Sequence, residues 1–176
     1  MKIIQNLLIA SAFIFGIGNV SAQTVDANSS ESISITETPD IIKAPDFKLK
    51  NLEGKEVKLS DFRGKWVILD FWGSWCIWCI RGIPELKEAY SKYDGKVEII
   101  GVDCGDTEEA WRDAVAKYEL NWVNVYCPEK EMKLLKEYGV EGFPTKAIVD
   151  PEGNLVNITV GHDPQFYEIL ASFVGQ

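Results

Sequence analysis

The chain has 176 residues, of which 46% are hydrophobic, and its formal net charge is −9 at pH 7. That length and apolar content predict a single globular domain with its own core and exclude an intrinsically disordered chain. The acidity and the lack of any basic run argue against a nucleic-acid partner, because binding to phosphates requires clustered Lys and Arg.

The N-terminal residues are typical of an export signal. Lys2 precedes an apolar stretch over residues 7–17, and Val20-Ser21-Ala22 provides the small residues of a cleavage site. We therefore expect residues 1–22 to be a signal peptide that is cleaved after Ala22. The alternative is an uncleaved N-terminal membrane anchor, since the charged region before the apolar stretch has a single cation. Either way the domain is expected to be exported.

One folded domain is expected after a flexible leader. Residues 23–43 are polar and lack aromatics, so we expect a flexible leader there and the domain at 44–176. Strands that alternate with helices predict an α/β fold, with a largely parallel sheet covered on both faces. In chain order the predicted elements are a hairpin around Glu53-Gly54, a strand at 66–71, a helix at 76–93, a strand at 97–103, a helix capped by Asp106, a strand at 122–126, a helix from Pro128 to Gly139, a hairpin around 151–153 and a helix from Asp163 to Phe173.

Two cysteines separated by two residues follow the most apolar predicted strand. Cys76 would open the next helix, where the helix dipole and free backbone N–H groups stabilise a thiolate and lower its pKa. Cys79, one turn later, could then resolve a mixed disulfide formed by Cys76, so a redox dithiol is predicted. The alternative is a zinc site that includes Cys104 and Cys127. Structural zinc cysteines usually come in close pairs, so we expect no metal.

Cys104 and Cys127 each end a predicted parallel strand. If the two strands are neighbours, both cysteines lie at the same edge of the sheet and a disulfide between them is sterically allowed. It would close a loop of about 23 residues and contribute roughly 3 kcal/mol. We expect this structural disulfide because an exported protein meets an oxidising compartment. Two free buried thiols or a second redox pair are the alternatives.

The segment "DFWGSWCIWC", followed by Pro84, resembles the active site of thioredoxin-fold proteins. The segments "APDFKLKNLEGKEVKLSDFRGKWVILDFW" and "GFPTKAIVDPEGNLV" resemble the exported thiol–disulfide oxidoreductases of the TlpA/ResA group, which have the redoxin (AhpC/TSA-like) form of that fold. The similarity covers about residues 44–174. It implies a thioredoxin fold with a mixed central sheet flanked by helices, an N-terminal β-hairpin and an extra strand–helix insertion before a cis-proline.

The resemblance also implies roles for individual residues. Cys76 would be the exposed nucleophile and Cys79 the buried resolving thiol. Pro144 would be the cis-proline, whose neighbouring backbone groups hold a substrate chain. Asp70 ends the apolar strand six residues before Cys76. A buried, unpaired carboxylate has a raised pKa. Cytoplasmic thioredoxins have an aspartate at the matching position that exchanges protons with the resolving cysteine, so the resemblance implies that Asp70 does the same for Cys79. The alternative is an acid at the strand end that reaches water.

The sequence departs from the family pattern beside the cysteines. Trp78 stands where Pro is common, and Gly82 stands where the group often has Glu, so the acid chemistry of that Glu is not carried over. Trp75 and Trp78 are expected to form an apolar rim for a partner protein, with plain packing as the alternative for Trp78. Phe143 is expected to shape the substrate groove. His162 is expected to be a surface loop residue.

These observations together predict a thiol–disulfide oxidoreductase that reduces protein disulfides in the periplasm. The resemblance implies a membrane thiol reductase as electron donor, apocytochrome c as one substrate, and no diffusible cofactor. The alternatives are a disulfide oxidase or isomerase on the same fold, a non-catalytic binding module, and a peroxide-reducing enzyme. The last lacks the proline context that peroxiredoxins have before their reactive cysteine. The sequence leaves the oligomeric state open, with a monomer as the expectation.

Overall fold

A computed structural model of the chain describes residues 41–175. The predicted signal peptide and residues 23–40 of the predicted leader lie outside these residues. The described part contains seven strands and four α-helices: β1 Lys48–Asn51, β2 Glu56–Lys58, β3 Trp66–Trp72, α1 Ile77–Lys92, β4 Val97–Cys104, α2 Glu108–Lys117, β5 Val123–Cys127, α3 Lys133–Glu137, β6 Thr145–Val149, β7 Leu155–Val160 and α4 Gln165–Val174.

All seven strands belong to one sheet, in the order β2-β1-β5-β4-β3-β6-β7. β3, β4 and β5 are parallel neighbours, whereas β1, β2, β6 and β7 join the sheet through antiparallel pairs. The sheet is therefore mixed, as the resemblance implied. The expectation of a largely parallel sheet from strand–helix alternation was wrong, because a hairpin at each end of the domain adds antiparallel strands. β5 with α3 supplies the extra strand–helix unit before the proline.

Side chains of the central strand β3 point alternately to two cores. Ile68 and Trp72 lie in a core formed with α1, α2 and α4, whereas Val67 and Phe71 lie in a second core with β1, α3 and the 3-10 turn that follows β2. All four are buried. Burying a side chain of this size stabilises the fold by about 1.5–3 kcal/mol. Because the strand period is two, Asp70 faces the first core.

Helix α2 starts in a different way from the prediction. The Thr107 side chain caps it, with Oγ1 accepting a hydrogen bond from the Ala110 backbone N–H at 3.2 Å. The predicted cap, Asp106, lies one residue earlier, and its carboxylate instead accepts bonds from Ser74. Both residue types are good caps, so the sequence alone did not distinguish between neighbouring positions.

The helix predicted from Pro128 to Gly139 is shorter in the structure. A 3-10 turn at Glu129–Glu131 precedes α3, which covers only Lys133–Glu137. Gly139 has φ 62°, the left-handed conformation that ends helices and that glycine adopts without strain. The predicted end was therefore correct and the predicted start was too early.

The chain enters the fold along the start of β7. The Ile42 carbonyl accepts a hydrogen bond from the Leu155 N–H at 2.8 Å, and Lys43 forms an antiparallel bridge with Asn154. Pairing thus begins two residues before residue 44, where we expected the domain to start. Within residues 41–175, no helix has both the length and the apolar content needed to cross a membrane.

Candidate active site

Cys76 and Cys79 form a disulfide at the start of α1, with their Cα atoms 5.3 Å apart. Cys76 is the N-cap of this helix, and its Sγ accepts a hydrogen bond from the Cys79 backbone N–H at 3.1 Å. A backbone N–H and the positive end of a helix dipole both favour a thiolate at Sγ. β3 ends four residues before Cys76, which places the pair at one edge of the sheet.

Burial of the cysteines differs from the implied pattern. Cys76 is 6% exposed and Cys79 is 4% exposed, so the two sulfurs are almost equally buried. We expected an exposed Cys76. In the disulfide form its Sγ is bonded to the interior Cys79, while the side chains of Trp75, Ile77 and Trp78 beside it are each more than half exposed.

Trp75 connects the cysteine loop to the loop that carries the proline. Its Nε1 donates a hydrogen bond to the Cys104 carbonyl at 3.1 Å. The edge of its ring packs on Phe143, with 5.1 Å between the ring centroids. The structure therefore brings together two of the predicted substrate-binding residues. Trp78, two residues after Cys76, is half exposed, and the Arg81 guanidinium lies 4.8 Å from its ring centroid.

The Phe143–Pro144 peptide bond is cis. The Pro144 carbonyl already accepts a hydrogen bond from the Gly161 N–H at 2.7 Å, and Thr145 Oγ1 donates to the Gly142 carbonyl at 2.7 Å. Both of those carbonyls are thus used within the fold.

Asp70 is buried and has a buried cationic partner. It is 6% exposed, and Lys146, which is 4% exposed, lies directly opposite it in the antiparallel β3–β6 pair. Lys146 Nζ is 3.7 Å from Asp70 Oδ1, which is an ion pair too long for a hydrogen bond. Burial raises the pKa of Asp70, and the charge of Lys146 opposes this rise. The alternative of an acid that reaches water was wrong.

Asp70 and Cys79 share one core. Asp70 lies between Ile68 and Trp72 on β3, and both of these pack in the same cluster as Cys79. Tyr167 of α4 is near this carboxylate as well: burial, and then the charges of Asp70 and Glu85, raise the pKa of its hydroxyl. The carboxyl group and the resolving thiol therefore lie in the apolar region between β3, α1 and α4.

Lys146 was missed by the sequence analysis, and so was the position of His162. His162 Nδ1 lies 3.6 Å from where a side chain at Gly82 would begin, and its Nε2 is 3.6 Å from Glu85 Oε1. Gly82 is one helical turn after Cys79 on α1. His162 is exposed and lies in the loop after β7, as expected, and its imidazole is at ordinary contact distance from the position of a Cβ at Gly82.

Cys104 and Cys127 are free thiols in this structure, so the predicted structural disulfide is not formed. They are directly opposite each other at the ends of the parallel strands β4 and β5, as predicted, and both are buried. Cys104 Sγ donates a hydrogen bond to the Val102 carbonyl at 3.4 Å. The neighbouring Cys127 thiol and then burial raise the pKa of Cys104, and the Cys104 thiol lowers that of Cys127.

Asp103 is a second buried acid that the sequence analysis did not identify. It is fully buried on β4, directly opposite Trp72 and Tyr126. Burial, and then the neighbouring Asp106, raise its pKa to about 9. Asp103 is therefore a neutral acid at pH 7. No group of three or more His, Cys, Asp or Glu side chains is arranged to hold a metal ion within residues 41–175.

Comparison with known proteins places this geometry in a family. A model of the AhpC/TSA family matches residues 42–158. The chain is 38% identical to the thiol–disulfide oxidoreductase ResA of a Bacillus cereus strain over 68% of each protein. It is 39% identical to the ResA protein of a Bacillus thuringiensis strain, and that match spans 65% of the relative's length.

Two solved structures show the same fold. The thioredoxin domain of a thiol–disulfide oxidoreductase from Bacteroides vulgatus is 34% identical, with a TM-score of 0.69 over 75% of this chain and 95% of that one. A thiol:disulfide interchange protein from a Bacteroides species is 33% identical, with a TM-score of 0.70 over 77% and 90% of the two chains. The expected resemblance is confirmed: the chain belongs to the AhpC/TSA family and has the thioredoxin fold of the ResA-like proteins.

Proposed function

We propose that this protein is an exported thiol–disulfide oxidoreductase that reduces protein disulfides through Cys76 and Cys79. The observation that carries the proposal is the disulfide at the start of α1, where the Cys79 N–H points at Cys76 Sγ. A thiolate at that position is stabilised and becomes a nucleophile at neutral pH. The likeness to ResA proteins, which are named thiol–disulfide oxidoreductases, supports the same chemistry.

In the first step the Cys76 thiolate attacks one sulfur of the substrate disulfide. A Cys76–substrate disulfide forms, and the other substrate sulfur leaves as a thiolate that takes a proton from solvent. In the second step Cys79 loses its proton and its sulfur attacks Cys76 Sγ. The Cys76–substrate bond breaks, the substrate leaves as its second thiol, and the protein holds the Cys76–Cys79 disulfide. Two electrons have then passed from the protein to the substrate.

Asp70 is the proposed proton acceptor for Cys79. The interior around Cys79 contains few polar groups, and the carboxylate of Asp70 faces the same core. Lys146, 3.7 Å away, favours the ionised form of this carboxylate and so keeps it able to accept a proton despite its burial. General base catalysis of this kind contributes about 10²–10⁴-fold to a rate.

The exposed aromatic side chains beside Cys76 are the proposed contact surface for the substrate chain. Trp75, Ile77 and Trp78 are each more than half exposed, and Phe143 of the cis-proline loop packs against Trp75. Exposed apolar side chains grouped at a reactive centre are typical of protein interaction sites. A mainly apolar rim fits an unfolded or extended polypeptide that displays its own apolar side chains.

The proposed setting is the periplasm, where the expected signal peptide would deliver the domain. An oxidising compartment would leave Cys76 and Cys79 as a disulfide after each turnover. Continued activity therefore needs an electron donor, and we propose a membrane thiol reductase. Apocytochrome c, which carries a cysteine pair, is the proposed substrate class. We propose that the protein acts as a monomer.

The test is to trap the mixed disulfide. Cys79→Ser removes the resolving thiol, so this variant should accumulate a covalent complex with a disulfide-bonded protein such as insulin, visible by non-reducing electrophoresis and mass. Cys76→Ser is the matched control and should form none. The proposal is contradicted if Cys79→Ser captures no substrate, or if Cys76→Ser captures it equally. Faster oxidation of the wild-type dithiol by hydrogen peroxide than by insulin would instead indicate a peroxide-reducing enzyme.

A further inference from the structure

We propose that Asp106 is a positioning residue that ties the loop before Cys76 to the end of β4 and, through its charge, makes the Cys76–Cys79 pair a stronger reductant. This inference rests on the proposed function and extends it to the control of redox potential. It concerns a residue that the sequence analysis assigned to a helix cap and that the thiol chemistry above does not use.

Two hydrogen bonds join Asp106 to the cysteine loop. The Ser74 backbone N–H donates to one oxygen of the Asp106 carboxylate at 2.6 Å, and Ser74 Oγ donates to the other at 2.7 Å. Bonds to a carboxylate at these distances are charge-assisted and stronger than neutral ones. Ser74 is two residues before Cys76, so the loop is fixed close to the nucleophile.

Trp75, the next residue of the loop, is bonded to the same segment at the end of β4. Trp75 Nε1 donates to the carbonyl of Cys104, two residues before Asp106. Gly105 between them has φ +87° and makes close contact with the Trp75 indole, where a Cβ would lie 3.3 Å from Nε1. Residues 104–106 therefore hold two consecutive loop residues, and the glycine gives the indole its space.

Asp106 has a contact of its own with β5, and it does not cap α2. Thr107 caps α2, which leaves both Asp106 oxygens for Ser74. Tyr126 Oη donates to the Asp106 backbone carbonyl at 3.0 Å. These contacts fix the carboxylate between the end of β4 and the cysteine loop without tying it to the helix that follows.

A second acid, Asp103, lies three residues before Asp106 and interacts with it. Burial, and then Asp106, raise the pKa of Asp103 to about 9, so Asp103 keeps its proton. Asp106 is the acid whose two carboxylate oxygens receive the Ser74 hydrogen bonds. The titratable groups that respond to Asp106 are Asp103 on β4 and Tyr126 on β5.

The Asp106 carboxylate is bonded to Ser74, two residues before Cys76, and its negative charge opposes the dipole of the helix that starts there. It disfavours the Cys76 thiolate, which belongs to the reduced state, and leaves the disulfide unaffected. Oxidants such as DsbA owe their potential to a stabilised reduced form, so a destabilised thiolate shifts a dithiol towards reducing potentials. Asp106 therefore acts in the direction that a reductase requires.

The test compares wild-type protein with Asp106→Asn, which removes the charge while its amide oxygen can still accept from Ser74. We expect the pH midpoint of Cys76 alkylation to fall by about half to one unit. The equilibrium with glutathione should shift about 3–10-fold towards the reduced form, which is about 15–30 mV. Asp113→Asn, an exposed acid on α2, is the matched control and should change neither value.

Ser74→Ala distinguishes the effect of the Asp106 charge from that of its hydrogen bonds. The variant removes the bond from Ser74 Oγ but leaves the Asp106 charge and the bond from the Ser74 backbone N–H. We expect the pH midpoint of Cys76 alkylation in Ser74→Ala to stay near that of the wild type. The proposal is overturned if Asp106→Asn folds normally and shifts neither the midpoint nor the equilibrium, or if Ser74→Ala shifts both as much. The failure of the proposed function would be seen separately, as the absence of a trapped protein complex in Cys79→Ser.

Discussion

Asp70 and Lys146 lie directly opposite each other in the β3–β6 pair, with Lys146 Nζ 3.7 Å from Asp70 Oδ1 and both side chains almost fully buried. Burying two charges has a large desolvation free energy, and removing one partner leaves the other charge unpaired in the interior. Here they face the core that contains Cys79. The pair therefore has a direct consequence for the step in which Cys79 loses its proton.

Replacing Asp70 with Asn should slow the resolving step by about 100-fold at neutral pH, because the proposed proton acceptor is lost. Burial raises the pKa of Asp70, so in the wild type this rate should rise with pH through a midpoint above that of an ordinary aspartate. Stopped-flow mixing of the reduced protein with an aromatic disulfide separates the two steps, since each releases one coloured thiolate.

In this assay the first release reports Cys76 and should be unchanged by Asp70→Asn. Asp113→Asn, at an exposed site on α2, controls for the loss of an acid. A second phase with the same rate and pH profile in Asp70→Asn as in the wild type would remove Asp70 from the mechanism.

Replacing Lys146 with Met should move the pH midpoint of the resolving step to higher pH. The charge of Lys146 opposes the rise in the pKa of Asp70, and Met keeps the apolar stem without that charge. Removal of a nearby opposite charge shifts a carboxyl pKa by about 1–3 units. The measurement is the pH profile of the second phase, with the exposed Lys133→Met as control. A midpoint that stays in place or falls would contradict the assignment of Lys146.

The buried acid Asp103 predicts a pH-dependent stability. Its pKa is about 9 in the folded protein, against 3.8 for an ordinary Asp, so between these values the folded state holds a proton that the unfolded state has lost. The stability it contributes is complete below the unfolded value and declines as pH rises towards 9. The slope from one such group is up to about 1.4 kcal/mol per pH unit.

Urea unfolding of the oxidised protein between pH 5 and pH 9 tests this prediction for Asp103 directly. Asp103→Asn replaces the neutral acid with a neutral amide and should flatten the decline. Equal slopes in the variant and the wild type would show that Asp103 ionises in the fold as readily as in the unfolded chain.

Cys104 and Cys127 should remain thiols in the air-oxidised protein. Both are buried free thiols, and Cys104 Sγ donates a hydrogen bond to the Val102 carbonyl. Alkylation after unfolding without reductant should therefore add two groups, both mapped by mass to these residues. Cys104→Ala and Cys127→Ala should each reduce the count by one. If no cysteine is alkylated, Cys104 and Cys127 form the structural disulfide that the sequence predicted.

Local patterns in the sequence were sufficient for most of the fold. The apolar run of β3, the amphipathic helices and the turn residues of both hairpins determined the element order, because each depends on residues close together in the chain. The position of Cys76 at a helix start followed in the same way. Burial of Asp70 could be inferred from an acid within an apolar strand.

Contacts between residues that are far apart in the sequence could not be predicted from the sequence. Lys146 faces Asp70 only because of the β3–β6 register, which pairs residues 76 positions apart. The choice between Asp106 and Thr107 as the cap of α2 depended on Ser74, 32 residues earlier, which uses the Asp106 oxygens. The contact of His162 with Gly82 likewise joins α1 to the loop after β7. Such contacts depend on tertiary packing rather than on local propensity.

The pairing of Cys104 and Cys127 shows the same limit. Their placement at the ends of neighbouring parallel strands was predicted correctly, since it required only that β4 and β5 be adjacent. The bond itself was not, because two facing free thiols and a disulfide both place the cysteines opposite each other on neighbouring strands. The expected export favoured oxidation but did not decide between free thiols and a disulfide.

The reduction potential of the Cys76–Cys79 pair tests the central claim most directly. The chain would be equilibrated in dithiothreitol and glutathione buffers, with every cysteine alkylated and counted by mass. The account predicts a value near that of thioredoxin, about −270 mV, as expected of a reductant that depends on an external electron donor. A value of about −120 to −180 mV would contradict it and identify the protein as a disulfide oxidase or isomerase.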